Sequence, residues 1–267
     1  MVPDVPPDRP VTPRDAATVV LLRDSPRGPE VFLLRRVGAM AFAAGMTVFP
    51  GGGVDPRDAD VSLAWSGPPP VKWAKWFDCS PELARALVCA AIRETFEESG
   101  VLLAGSTQRD GQDAGVVADT APFAAARQAL VDRRLSLAEF ITEARLTVRA
   151  DLLRPWASWV TPVGEPRRYD ARFFLAELPA GQHADGHTTE ADHAAWVRPA
   201  DALTAWQAGR TALLPPTWIT LTDLAEFGSV AEAMAAPRSV DKIEPKLVRE
   251  DDAVRVVLPG DPGWEQR

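Results

Sequence analysis

Two short apolar runs, Ala16–Leu22 and Val31–Leu34, flank the turn-forming stretch RDSPRGPE. Runs rich in β-branched and large apolar residues around such a turn predict two antiparallel strands in a hairpin. Thr47–Phe49 predicts a third strand, and Pro50-Gly51-Gly52-Gly53 follows it as a loop. Without Cβ atoms, that loop is free to adopt positive φ and to approach a ligand closely. Residues 56–80 hold Pro68-Pro69-Pro70, scattered charges and three tryptophans without a period, which predicts an irregular or partly helical insertion. Ser80 as N-cap and Pro81 in the first turn then open a helix through Leu83, Leu87, Ala90, Ala91 and Glu94 to Ser99, with Gly100 as its stop.

Further along, 103–119 reads as a loop. Apolar positions three and four apart (Phe123, Ala126, Leu130; Leu137, Phe140, Ile141, Ala144) predict amphipathic helices over 122–132 and 136–148. Strands are expected at Ala157–Thr161, Arg172–Leu178, Ala195–Val197 and Val254–Leu258, and helices at Pro199–Gln207 and Thr217–Phe227. No internal repeat interrupts this order, so a mixed α/β core is the economical architecture.

The 267 residues suit one principal core: a flexible lead over 1–13, then a single domain over 14–267 with insertions at about 56–80 and 103–150. With 37 acidic against 29 basic residues, the net charge of −8 repels a nucleic-acid backbone, and no nucleic-acid partner is expected. Cys79 and Cys89 form no CxxC pair and have only three histidines to share a metal with, which argues against a zinc site or a disulfide framework. The opening MVPDVPPDRPVTP lacks the basic and apolar regions of a signal peptide, and no apolar run reaches the ~18 residues of a membrane span. A cytoplasmic protein with no membrane partner is the expectation.

Chemistry concentrates in AAIRETFEESGVLL, where Glu94, Glu97 and Glu98 stand at i, i+3 and i+4 on one helix face. Like charges at that spacing repel by a few tenths of a kcal/mol, and a divalent cation would offset the repulsion. Mg²⁺ and Mn²⁺ are hard ions that take oxygen ligands, and magnesium readily shares itself between carboxylates and substrate phosphate. Arg93 is spaced to pair with Glu97 and hold its rotamer. Taken alone the triplet reads more readily as a solvated face carrying one ion pair than as a metal site.

In its context the segment resembles the Nudix hydrolase box, G-x5-E-x7-R-E-U-x-E-E-x-G-U, with U aliphatic. Arg93, Glu94, Glu97, Glu98, Gly100 and Val101 occupy its second half, and FPGGGVD at 49–55 supplies the opening with Gly52 as the box glycine. About 27 extra residues lie between the halves; Thr95 replaces an aliphatic, and Arg85 stands where counting back from Arg93 puts the first box glutamate. FPGGGVD, AIRETFEESGVLL, WASWVTP, RRYDARFFLAELP and LPPTW, in order, resemble a Nudix subgroup with an interrupted box that includes organellar coenzyme A diphosphatases.

The resemblance implies an α/β/α sandwich around a mixed β-sheet with helical insertions. It implies Mg²⁺ or Mn²⁺ on Glu94, Glu97, Glu98 and the Gly51 carbonyl, with Arg93 orienting the carboxylates. Glu190 is the candidate later acid, as metal ligand or general base, with Asp185 and Asp192 behind it; Glu82 is a candidate stand-in for the acid missing at position 85. The reaction implied is attack of water on an X–P–P–Y substrate, with Glu97, Glu98 or Glu190 as base.

A shorter-type coenzyme A pattern, L-L-T-x-R-S-x3-R-x3-G-x3-F-P-G-G, is matched at Leu33, Arg36, Gly45 and Phe49–Gly52 but not at Leu34, Val37 or Ala41. Coenzyme A or its acyl derivatives therefore lead, with ADP-ribose and dinucleotides open, and Arg36, Gly52 and Gly53 are expected to contact substrate. Arg35, Arg167, Arg168 and Arg172 are further phosphate candidates. Trp156 and Trp159 suit either adenine stacking or core packing, and His183, His187 and His193 show no ligand spacing. A homodimer is expected, and the rival function is a Nudix-fold binding module without catalysis. A dinucleotide oxidoreductase is excluded because no G-x-G-x-x-G joins a strand to a helix.

Overall fold

The computed structural model describes residues 10–38, 43–106, 115–250, 253–262 and 264. Strands β1 (Arg14–Ser25) and β2 (Gly28–Arg36) are followed by the short β3 (Thr47–Val48) and β4 (Gly51–Gly53). A 3₁₀ turn (Pro56–Ala59), β5 (Trp65–Ser66) and α1 (Pro70–Phe77) lead to the long α2 (Pro81–Ser99). Next come β6 (Ala104–Ser106), α3 (Ala124–Val131), α4 (Leu137–Glu143), β7 (Leu146–Arg149), β8 (Leu153–Val160), β9 (Tyr169–Glu177) and β10 (Ala191–Val197). The chain closes with α5 (Pro199–Gln207), α6 (Pro215–Leu224), α7 (Val230–Ala235), β11 (Lys242–Ile243) and the hairpin β12 (Lys246–Glu250) and β13 (Ala253–Val257).

The main sheet runs β10-β2-β1-β9-β8-β11, with β1–β9 and β8–β11 parallel and its other pairs antiparallel. The expected hairpin forms through Ser25↔Gly28, where Gly28 takes φ +101. β1 and β2 pair directly from Leu22↔Val31 to Ser25↔Gly28, and their other ends diverge. Into that gap pass β3, on Leu34 and Arg35 of β2, and β4, on Ala16–Thr18 of β1. The glycines make this wedge feasible: a Cβ on Gly51 would lie 2.4 Å from the Ala17 carbonyl oxygen.

Both faces of the sheet are buried, and alternate residues serve each. Ala17, Val19, Leu21, Phe32, Leu34, Phe174 and Ala176 pack towards α1 and α2. Val20, Leu22, Val31, Leu33, Phe173 and Leu175 pack towards α5, α6 and α7. The result is the expected helix–sheet–helix sandwich around a mixed sheet.

The 56–80 segment is ordered by its aromatics. Trp73 is fully buried, stacks on Phe77 at 6.1 Å between centroids and meets Phe174 of β9 at 5.6 Å. The helix expected over 136–148 starts at a Ser136/Glu139 capping box but ends at Glu143. Arg145 turns at φ +54, and Leu146–Arg149 becomes β7 of a second sheet, ordered β5-β7-β6. The apolar period continued past the helix because Leu146 and Val148 bury one face of a strand. Likewise, Ala104–Ser106 is strand rather than loop, while 107–114 of that expected loop lies outside the described residues. The helix expected over Thr217–Phe227 begins earlier, at Pro215, and stops at Leu224, and a further short helix, α7, follows it.

Candidate active site

Helix α2 begins where Ser80 Oγ accepts the Leu83 N–H at 3.2 Å and ends where Gly100 takes φ +74. Ala84 and Ala86–Ile92 are buried, so the first three turns serve the core. The last two turns carry Arg93, Glu94, Glu97 and Glu98 beneath the β3–β4 wedge, and the two halves of the interrupted box meet there. Glu98, 5% exposed, accepts the Gly51 N–H on Oε2 at 2.7 Å. The Glu94 carboxylate lies against Gly52, where a Cβ would come within 2.5 Å of Oε1. Arg93 donates to Glu94 at 2.7 Å, Glu97 at 3.3 Å and the Gly53 carbonyl at 2.9 Å.

Arg93 also makes a fork on Asp58, with Nε and Nη2 each at 3.0 Å from a carboxylate oxygen. Asp58 is 1% exposed and accepts the Asp55 N–H at 2.8 Å. This corrects the expectation for position 85. Counted forward from Gly52, Asp58 falls at the first acid of the box, so the insertion lies after that acid and the acid is not lost. The forward count was the sequence signal for it. Arg85 instead sits over the Trp65 ring, 5.0 Å from its centroid, and Glu82 stays exposed in the first turn of α2.

Burial shapes the electrostatics. It pushes the Glu94 carboxyl up to about 7, against the opposing pull of Arg93 and reinforced by Glu97. Burial, then Glu94, raises Glu98 well above the usual carboxylate range, and burial raises Glu97. Desolvation opposes the Arg93 charge, but the Asp58 hydrogen bond and the neighbouring glutamates outweigh it and hold the guanidinium protonated. Glu94 and Glu97 share one arginine and Glu98 has none, and carboxylates so crowded and desolvated ionise most readily onto a hard divalent cation, so the donor set fits Mg²⁺ or Mn²⁺. In the arrangement seen, Glu94 and Glu97 turn to Arg93 and Glu98 to Gly51. Among the described residues no group of three or more acidic, histidine or cysteine side chains is gathered around a common point.

These residues line a cleft of about 1000 Å³. Arg36 and Glu190 reach its wall joined by a 3.0 Å ion pair, and Gly51, Gly52, Gly53 and Arg167 also line it. Other candidates are engaged elsewhere. Asp192 pairs with Arg35 at 2.6 Å on the exposed edge, and Asp185 pairs with Arg127. Arg168 is buried against Glu244 and Thr161, and Arg172 against Asp170 and Asp15. Trp156 packs in the core under Arg238, whereas Trp159 lines the cleft. None of the three histidines is among the residues lining the cleft.

The chain belongs to the Nudix hydrolase family. The family described as the NUDT19 Nudix domain matches residues 78–224. Putative nudix hydrolase 7 of Caenorhabditis elegans is 30% identical over 221 residues, covering 80% of this chain and 61% of that protein. An acyl-coenzyme A diphosphatase NUDT19 of Xenopus laevis is 26% identical, over 87% of this chain and 70% of its own length. A Nudix hydrolase structure from Alicyclobacillus acidocaldarius superposes with a TM-score of 0.71 at 29% identity, covering 86% of this chain and 99% of that one.

Proposed function

We propose that this chain is a metal-dependent diphosphatase that cleaves coenzyme A or acyl-coenzyme A to two monophosphate products. The observation that carries the reading is the reassembled box. Glu94 and Glu97 share one arginine, Glu98 is held by the Gly51 N–H, and Asp58 anchors the arginine from behind; Arg93 and the three glutamates line a cleft large enough for a nucleotide conjugate. Glu94, Glu97 and Glu98 would hold Mg²⁺ or Mn²⁺, which when bound neutralises diphosphate oxygens and acidifies the attacking water. Arg93 orients Glu94 and Glu97, and the Gly51 N–H orients Glu98. Glu97, Glu98 or Glu190 takes the water's proton, and Arg36 on the cleft wall meets a phosphate oxygen.

The acyl-coenzyme A preference draws on the activity for which the NUDT19 relatives are named and on the cleft's mixed wall. Arg14, Arg36 and Arg167 offer charge, while Trp159, Leu214, Pro215 and Leu247 offer apolar surface. The rival, a binding module without catalysis, rests on the long box insertion and on Arg85, while the Glu94, Glu97 and Glu98 set opposes it and Asp58 provides an acid to Arg93. No helix among the described residues is long and apolar enough to cross a membrane. Free Cys79 and Cys89 suit a reducing, cytoplasm-like compartment.

The test is product release from coenzyme A, acyl-coenzyme A, ADP-ribose and NADH with Mg²⁺ or Mn²⁺, comparing wild type with Glu97→Gln. Cation-dependent cleavage that falls about 10²–10⁴-fold in the variant supports the reading. Folded, cation-binding protein that turns over none of the four overturns it.

A further inference from the structure

The last carbonyls of a helix lack intrahelical partners, and in α2 two of them are taken up from outside. The Glu97 carbonyl accepts from Arg127 Nε at 3.1 Å, and the Ser99 carbonyl accepts from the Asp185 N–H at 2.8 Å. Arg127 and Asp185 are joined in turn by a two-pronged ion pair, at 2.8 and 2.9 Å. Arg127 Nη2 also donates to the His187 carbonyl at 3.3 Å, and Asp185 accepts the His187 N–H at 2.9 Å. Gly100 lets the pair approach: a Cβ there would lie 2.8 Å from Arg127 Nη1 and 3.0 Å from Asp185 Oδ2.

Asp185 opens a strap, residues 185–190, that runs from the end of α2 to the end of β2. Its other end is held by β2 and the residue after it, through Val37 N–H to the Glu190 carbonyl at 3.0 Å and Arg36 to the Glu190 carboxylate at 3.0 Å. Between the anchors Thr188, Thr189 and Glu190 face the cleft. A guanidinium fork matches carboxylate and carbonyl geometry at once, which a lysine point charge does not.

We propose that Arg127 and Asp185 are a positioning pair that locks the glutamate turn of α2 to the strap bearing Glu190, setting the distance between the two walls of the catalytic cleft. This rests on the diphosphatase reading above. The pair touches backbone and each other rather than substrate, so its effect is on alignment.

The experiment uses full-length Arg127→Lys, Asp185→Asn and the double variant, assayed with acyl-coenzyme A and Mn²⁺, together with amide hydrogen exchange of the free protein. Expected are a 10–100-fold fall in kcat, of the order seen when supports of metal ligands are removed, and KM within about threefold. The Mn²⁺ concentration for half-maximal rate rises, and the double variant is no worse than the poorer single because the pair acts as a unit. Exchange at residues 187–190 accelerates while β1 and β9 stay protected. Wild-type kcat in Arg127→Lys, independent effects that multiply in the double variant, or unchanged exchange along the strap overturns the proposal. Should the wild type cleave nothing, the diphosphatase reading falls alone, and exchange still decides whether the pair holds the strap.

Discussion

The Nudix box and the segment inserted into it are held by different physics. The box halves, Gly51–Asp58 and Arg93–Gly100, meet through charge-assisted hydrogen bonds, Gly51 to Glu98 and Arg93 to Asp58 and the Gly53 carbonyl, while Arg93 also holds Glu94 and Glu97 of its own half. The insertion is held by aromatic burial, with Trp73 and Phe77 against Phe174 and Arg85 over Trp65. The polar set is directional and faces the cleft, whereas the apolar set is non-directional and faces the sheet. A long insertion is therefore tolerated inside the motif as long as both of its ends return to the same polar contacts. Loop-closure entropy grows only slowly with the added length.

Asp58, at the junction of the two regions, is where removal acts most broadly. Asp58→Ala leaves the buried Arg93 guanidinium without its strongest partner and is expected to cost about 3–5 kcal/mol in urea unfolding. Turnover should fall with it, because Glu94 and Glu97 lose a fixed Arg93; retained turnover in the folded fraction would break the link between Asp58 and the site. Trp73→Ala should cost about 3–5 kcal/mol by opening a core cavity. It should leave kcat per folded molecule within about twofold, and a large kcat loss would show that the insertion serves chemistry after all.

Gly52→Ala places a methyl on the Glu94 carboxylate, and overpacking of this kind costs about 1–3 kcal/mol. Since the displaced group is a presumed cation ligand, the half-saturating Mn²⁺ concentration should rise more than KM does. The smallest effect is expected from Trp65→Leu, which removes the Arg85 contact and the indole N–H bond to the Pro68 carbonyl. Its cost of about 1–2 kcal/mol should appear in the unfolding midpoint with activity unchanged.

Much of this was legible along the chain. The limits of α2 are set by Ser80 and Gly100, those of α5 by Pro199 and Gly209, and the facing of Glu94, Glu97 and Glu98 by a helical period. Apolar spacing overextends the helix over 136–148 because a buried strand face at Leu146 and Val148 continues the same spacing for a few residues. Counting back from Arg93 crosses the insertion and lands on Arg85, while counting forward from Gly52 does not cross it and lands on Asp58.

The sequence by itself determined the local elements and the glutamate face, because caps, turns and periodicity act over a few residues. Tertiary structure alone decided the parallel pairing of β1 with β9, the order of the sheet and the pairings that complete the cleft. Asp58–Arg93, Arg127–Asp185 and Arg36–Glu190 join residues 35, 58 and 154 positions apart. Arg93 has Glu94 and Glu97 on its own helix, and burial, which removes water as the competitor, adds the distant Asp58 to them. The two more exposed pairs form because the packed sheet and helices bring their chain segments within hydrogen-bond distance.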